Sequence, residues 1–174
     1  KLSFHGGAKE VTGACYLLET GKNKLLIDCG LFQGKSEFED LNFENFKFDP
    51  KTIDAVFITH GHLDHVGRLP KLVKGGFKGK IYSTAPTRDL SRLILDDALH
   101  LAEKQDTELY SHEDMEKTFE FWQDLPYHQD IEVGDIRVRL REAGHILGSS
   151  FVEIWIENKH FLFTGDLGNV PSVL

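Results

Sequence analysis

The segment 59–65 reads T-H-G-H-L-D-H, and four of its side chains can bind a metal ion: His60, His62, Asp64 and His65. Imidazole nitrogens and carboxylate oxygens suit zinc and similar first-row ions. Only a glycine separates the first two histidines, so the loop can curl and turn both rings towards one ion. The neighbouring Asp64 and His65 could then serve a second ion a few ångströms away. This spacing predicts a metal centre.

Two later segments supply further ligands. His145 lies between glycines in the segment 142–149, which reads E-A-G-H-I-L-G-S, and Asp166 follows the apolar run 160–164. His145 can add a third nitrogen to the first ion. Asp166 has the carboxylate that is needed to bridge two ions.

Each of these motifs follows a run that is typical of a β-strand. The apolar, β-branched run 53–58 precedes the first motif, and the alternating run 136–141 precedes the second. Catalytic groups in α/β folds lie beyond the carboxyl ends of strands, because the strands fix their positions. We therefore expect the three motifs to converge at one edge of the fold.

Further elements follow from hydrophobic periodicity and turn residues. We predict strands over 14–20 and 24–28, paired as a hairpin, and helices over 67–74, 86–103 and 111–122. Later strands are predicted over 80–84, 131–133, 135–142, 151–157 and 160–164. Sets of strands on both sides of a helical block favour packed sheets with helices outside. His5 is expected to neighbour the centre, and His112 and His128 to lie on the surface.

The motifs H-x-H-x-D-H, G-H-I-L-G-S and F-T-G-D together resemble the metallo-β-lactamase superfamily. Within it, the glycine-rich segment 6–13, G-G-A-K-E-V-T-G, is similar to the opening of the β-CASP branch of RNA-processing nucleases. That branch includes bacterial RNase J and the cleavage subunit of the eukaryotic mRNA 3′-end machinery. The resemblance covers essentially the whole chain.

The resemblance implies an α/β fold, a metallo-β-lactamase-type αββα sandwich, and two zinc ions. The implied ligands are His60, His62 and His145 for the first zinc, Asp64 and His65 for the second, and Asp166 as the bridge. Asp28, in L-L-I-D-C-G, matches an aspartate that orients a ligand histidine rather than binding metal. Asp64 and Asp166 are also the candidates for holding the proton of the nucleophile.

One departure from the family pattern concerns the second ion. Such sites have a last histidine that follows the β-CASP insertion, and this sequence ends eight residues after Asp166. We therefore expect a partial domain without the insertion and the carboxyl-terminal part, with that missing portion as its partner. The chain alone should bind metal weakly or in one site only, and should cleave RNA poorly.

Composition bounds the remaining possibilities. The 174 residues are 40% hydrophobic, which favours one unit over 1–174 with no internal boundary. No apolar run reaches about 18 residues and no charged-then-apolar leader is present, so neither a membrane span nor secretion is expected. Cys15 and Cys29 lie in apolar runs, which predicts buried free thiols and agrees with a cytoplasmic location.

The net charge of −8 argues against a surface that is basic throughout, although a local patch can still bind RNA. The segment 68–80 carries five cationic residues and no acid. A solvated helix face is favoured there over a phosphate-binding track.

Three functions remain open at this point. The first is a zinc-dependent ribonuclease that uses a metal-activated hydroxide. The second is a hydrolase of a small-molecule ester, thioester or lactam on the same scaffold, since a metal set does not fix the substrate. The third is a non-catalytic fragment, which the intact H-x-H-x-D-H motif disfavours.

Overall fold

The computed structural model describes residues 1–34 and 36–169. Its first sheet has six strands in the order β1-β2-β3-β4-β5-β6. The strands are β1 (Leu2–Phe4), β2 (Tyr16–Glu19), β3 (Lys24–Ile27), β4 (Ala55–Phe57), β5 (Lys80–Ser83) and β6 (Trp122–Asp124). The first three pair antiparallel, and β3 to β6 pair parallel. The predicted hairpin of β2 and β3 is thereby confirmed.

The second sheet has four antiparallel strands in the order β10-β9-β8-β7. They are β7 (Asp130–Val133), β8 (Ile136–Glu142), β9 (Ser150–Ile156) and β10 (Lys159–Phe163). Apolar side chains alternate with polar ones along β8, so one face of this sheet is buried.

Within the described residues, five α-helices connect the strands: α1 (Ser36–Glu39), α2 (Leu63–Val66), α3 (Leu69–Lys74), α4 (Ala85–Glu103) and α5 (His112–Glu120). Two single turns of 3-10 helix lie at Asp40–Asn42 and Pro50–Thr52. The hydroxyl oxygen of Thr84 accepts a hydrogen bond from the Thr87 amide and caps α4, which begins with Pro86 in its first turn. No helix in the described part of the chain is long and apolar enough to cross a membrane.

Two hydrophobic cores hold the layers together. Alternate residues of the first sheet, such as Leu26 and Val56, pack against helix residues such as Leu69 and Leu95. The opposite face of the first sheet packs against the second sheet in a core of buried residues that includes Leu25, Ile27, Phe57, Ile136, Val138 and Ile154. The order helix, sheet, sheet gives three layers of the expected sandwich.

The carboxyl ends of β3, β4, β8 and β10 lead to one edge of the sandwich. The two sheets are tied there by the Ser150 amide, which donates to the backbone oxygen of Thr59 at 2.7 Å. The loops that carry chemistry therefore start from backbone that both sheets constrain.

One predicted boundary is wrong. The helix expected to reach Trp122 ends at Glu120, and Trp122 instead opens β6. Trp122 pairs with Ile81, and its indole Nε1 donates to the Ser83 hydroxyl at 2.8 Å. Pairing with a strand some forty residues away overrides the local helical pattern, and a three-residue strand has too few positions to show alternation.

Candidate metal centre

The first ligand loop begins where β4 ends in fully buried backbone. The amide of Ile58 still bonds to β5 through the backbone oxygen of Tyr82, at 2.9 Å, and the chain then turns. His62 is the N-cap of α2, so Asp64 and His65 lie in a single turn of helix. This short helix turns both side chains back towards the two histidines that precede it.

Four donor atoms converge in front of this loop. His60 Nε2 lies 3.1 Å from His62 Nδ1, and His145 Nε2 lies 3.3 Å from the same Nδ1. One carboxylate oxygen of Asp166, Oδ2, lies 3.8 Å from His60 Nε2 and 3.6 Å from His145 Nε2. The ligand atoms of these four residues all lie within 4.8 Å of one another.

These separations fit a tetrahedral metal ion. With bonds of 2.0–2.1 Å, two ligand atoms on a tetrahedral zinc ion are about 3.3 Å apart. Three imidazoles and one carboxylate are also the donor types that zinc accepts. Small side-chain adjustments would therefore suffice to bind one ion.

A second group of donors lies beside the first. His65 Nε2 is 3.8 Å from Asp64 Oδ2 and 3.6 Å from Asp166 Oδ1. The two oxygens of Asp166 thus face different donor groups, as a bridging carboxylate requires.

Asp28 supports the metal centre from the interior of the protein. Its carboxylate accepts hydrogen bonds from the Thr59 amide at 2.8 Å, from the Thr59 hydroxyl at 2.9 Å and from His65 Nδ1 at 2.8 Å. The bond from Nδ1 directs the Nε2 atom of His65 into the centre. Asp28 is fully buried, so these bonds are not exchanged with water.

Thr59 has a role that the sequence analysis did not assign. Its hydroxyl donates to Asp28 and therefore accepts from His60 Nδ1, which lies 3.0 Å away. That bond places the ring proton on Nδ1 and leaves His60 Nε2 free as a ligand atom. Its place directly before the first histidine was the only signal in the sequence.

The loop that carries His145 is held by hydroxyl groups. The Ser149 Oγ accepts bonds from the backbone amides of His145, at 3.0 Å, and of Ile146, at 3.2 Å. The hydroxyls of Thr84 and Thr87, at the start of α4, both donate to the backbone oxygen of Gly148. From the sequence, Thr84 was interpreted only as a helix cap, so these contacts with the loop of His145 were not predicted.

The family model described as "Metallo-beta-lactamase superfamily" matches residues 8–174. This chain belongs to the metallo-β-lactamase superfamily. The resemblance in the motifs is thereby confirmed, and so is the predicted α/β fold class.

Several curated relatives that the chain matches are named as ribonucleases. The chain is 43% identical over 94% of its length to "Ribonuclease TTHA0252" of Thermus thermophilus. It is 36% identical over 98% to "RNase J-like protein" of Methanocaldococcus jannaschii and 33% identical over 92% to "Endoribonuclease YSH1" of Yarrowia lipolytica. The chain spans 37%, 37% and 20% of these relatives.

A solved structure shows the same fold. The metallo-β-lactamase fold protein YhfI from Bacillus subtilis matches 95% of this chain and 62% of its own, with a TM-score of 0.58 and 18% identity. At that identity the likeness concerns the fold alone.

Electrostatics in this metallo-β-lactamase centre favour neutral imidazoles at two ligand positions. Burial, and then the charges that the neighbouring histidines would carry, lower the pKa of His60 to about 2. Burial, followed by His145, also lowers the pKa of His62. Burial acts in the same direction on His65, but the charge and hydrogen bond of Asp28 outweigh it and raise the pKa. The rings of His60 and His62 are therefore neutral at neutral pH, and each can offer a lone pair to a metal ion.

His5, His112 and His128 lie apart from the donor atoms of this metal centre. His112 and His128 are about half exposed, as predicted. His5 packs edge-on against Phe48, with ring centroids 4.9 Å apart, and borders a cavity that Phe32 and Arg68 also line.

The interpretation of segment 68–80 as a solvated face is wrong for its first residue. Arg68 is 5% exposed, lies against the ring of Phe32 and donates to the backbone oxygens of Gly30 and Gly13. Lys71 donates to the backbone oxygens of Asn42 and Glu44. Neither cation is available to a phosphate track.

Proposed function

We propose that the protein is a zinc-dependent ribonuclease that hydrolyses RNA phosphodiester bonds. The observation that carries the proposal is the position of Asp166, whose two oxygens face two separate groups of metal donors. Support for RNA as the substrate comes from relatives whose names are ribonuclease and endoribonuclease. Because the chain spans at most 37% of the relatives named above, the proposal refers to the full-length protein.

The ligand assignment follows the two donor groups. His60, His62 and His145 would hold the first zinc, Asp64 and His65 the second, and Asp166 would bridge them. When bound, the two ions supply a hydroxide at neutral pH, because they lower the pKa of water from 15.7 to about 7. Zinc is proposed over harder ions because three of the four donors in the first group are imidazoles.

The chain's own residues would position the reacting groups. The Asp64 and Asp166 carboxylates can accept the proton that the attacking water loses. Asp166 is 49% exposed, so a substrate can reach it. Asp28 and Thr59 orient His65 and His60 from the buried side.

We also propose what completes the active site and where the protein acts. The carboxyl-terminal portion of the polypeptide would complete the second zinc site and contribute to RNA binding. We propose a cytoplasmic location, which is supported by Cys15 and Cys29, both free and buried as predicted.

The test combines zinc analysis with an RNA cleavage assay on the full-length protein. We expect His62→Ala to lower the zinc content and to abolish cleavage of a labelled RNA, because its Nδ1 lies between two other donors. His160→Ala is the matched control, since this half-exposed ring stacks on Trp155 in the second sheet.

Two results would contradict the proposal. Unchanged zinc content in His62→Ala would defeat the ligand assignment. Hydrolysis of a small ester, thioester or lactam together with an intact RNA would keep the metal centre but replace the substrate.

A further inference from the structure

A second cluster of metal-binding side chains lies in the helical layer, outside the catalytic centre. Asp96 and His100 are on α4, and His112 is the first residue of α5. One ligand atom from each lies within 4.8 Å of those of the other two. Glu103 lies beside this cluster, since its Oε1 is 3.6 Å from His112 Nε2.

The spacing along α4 explains why these side chains meet. Asp96, His100 and Glu103 are separated by four and three residues, so they lie one above the other on one face of the helix. The rings of His100 and His112 are edge-to-face at 6.3 Å, which places the α5 ligand opposite that face.

The backbone that carries His112 is fixed independently of these contacts. Ser111 and Asp114 form a reciprocal capping box at the start of α5. The preceding Tyr110 is 6% exposed and belongs to the core between the helices and the first sheet. His112 therefore projects from a backbone that is held in place, and not from a free loop.

We propose that Asp96, His100, Glu103 and His112 form a second, surface site for a zinc-like divalent ion that clamps α4 to α5. Two imidazoles with two carboxylates suit zinc, nickel or copper, and they disfavour calcium and magnesium, which take oxygen ligands. The clamp would act on the helix whose amino-terminal end holds the loop of His145 through the Thr84 and Thr87 hydroxyls.

The site is tested by metal stoichiometry in the full-length protein after equilibration with buffered free zinc. We expect His112→Ala and His100→Ala each to bind one zinc equivalent fewer than the parent. The substituted rings are exposed, so the variants should fold. The matched controls are His160→Ala and Asp97→Asn, an exposed neighbour of the cluster on α4. Both should keep the parental stoichiometry.

A second measurement separates the clamp from the catalytic centre. Added zinc should raise the melting temperature of His62→Ala, which retains the clamp, more than that of His62→Ala combined with His112→Ala. The proposal would be overturned if His100→Ala and His112→Ala both bind as much zinc as the parent. It would also be overturned if added zinc raises the melting temperature of His62→Ala and of the double variant equally. Because neither readout requires RNA hydrolysis, failure of the proposed function would remain distinguishable.

Discussion

Among single residues, the buried carboxylate of Asp28 links two of the histidines that are proposed to bind metal. It bonds His65 directly and reaches His60 through the Thr59 hydroxyl. One aspartate therefore sets the orientation of one ring and the tautomer of another. Groups that orient metal ligands in this way typically change metal affinity 10- to 100-fold when they are replaced.

We expect Asp28→Asn to lower zinc affinity about 10- to 100-fold, because an amide cannot accept at both of its polar atoms. The measurement is competition for zinc with a chromophoric chelator, alongside thermal unfolding of the metal-free protein. Asp97→Asn removes an exposed carboxylate and serves as the control. Parental zinc affinity in Asp28→Asn would show that His65 is oriented by other contacts.

Among the secondary-structure elements, the end of β3 is hydrogen-bonded to the segment 59–65, which carries the first metal-binding motif. The Cys29 amide donates to the His65 backbone oxygen and the Leu31 amide donates to that of Leu63. Between them lies Gly30, where an added Cβ would come within 1.5 Å of the Asp64 backbone oxygen. The approach is closer than any side chain permits, so this contact requires glycine.

We expect Gly30→Ala to displace the ligand loop, to reduce bound zinc and to lower the free energy of unfolding by about 1–3 kcal/mol or more. Gly21→Ala is the matched control, because a Cβ there meets nothing within 4 Å. Zinc analysis and chemical denaturation would report both effects. An unchanged Gly30→Ala protein would mean that the two segments can move apart freely.

For the fold as a whole, stability should depend on the pH in part through His5. Burial, followed by Lys47 and Arg68, lowers the pKa of His5 below its usual 6.5. Its Nε2 is buried and has no hydrogen-bond partner within the described residues. As the pH falls below 6.5, the unfolded chain binds a proton that the folded chain rejects, so the free energy of unfolding falls.

His5→Phe should keep the packing on Phe48 and remove this titration. We expect the variant to lose less stability than the parent between pH 7 and pH 5, as measured by urea denaturation at both values. His160→Phe controls for the added ring on the surface. An identical loss in His5→Phe and the parent would contradict the lowered pKa.

The elements that local patterns specify were predicted well. The amphipathic spacing and the Thr84 cap indicated α4, and the apolar run before His60 indicated β4, because both signals lie within a few neighbouring residues. The β6 strand was missed, since Trp122 becomes a strand residue only through its pairing with Ile81. Arg68 was misinterpreted for the same reason, because its acceptors at Gly30 and Gly13 are distant in sequence.

The superfamily, the α/β class and the residues proposed to bind metal follow from the sequence alone, because four ligand residues within six positions, joined by two more in separate motifs, cannot easily arise from packing. Which atoms face one another depends on the folded chain and not on the linear pattern. The folded structure places Asp166 between two donor groups, brings the Thr59 hydroxyl to His60 Nδ1 and brings His112 to α4. These facts depend on hydrogen bonds and contacts between strands and helices far apart in the chain, which a linear pattern does not encode.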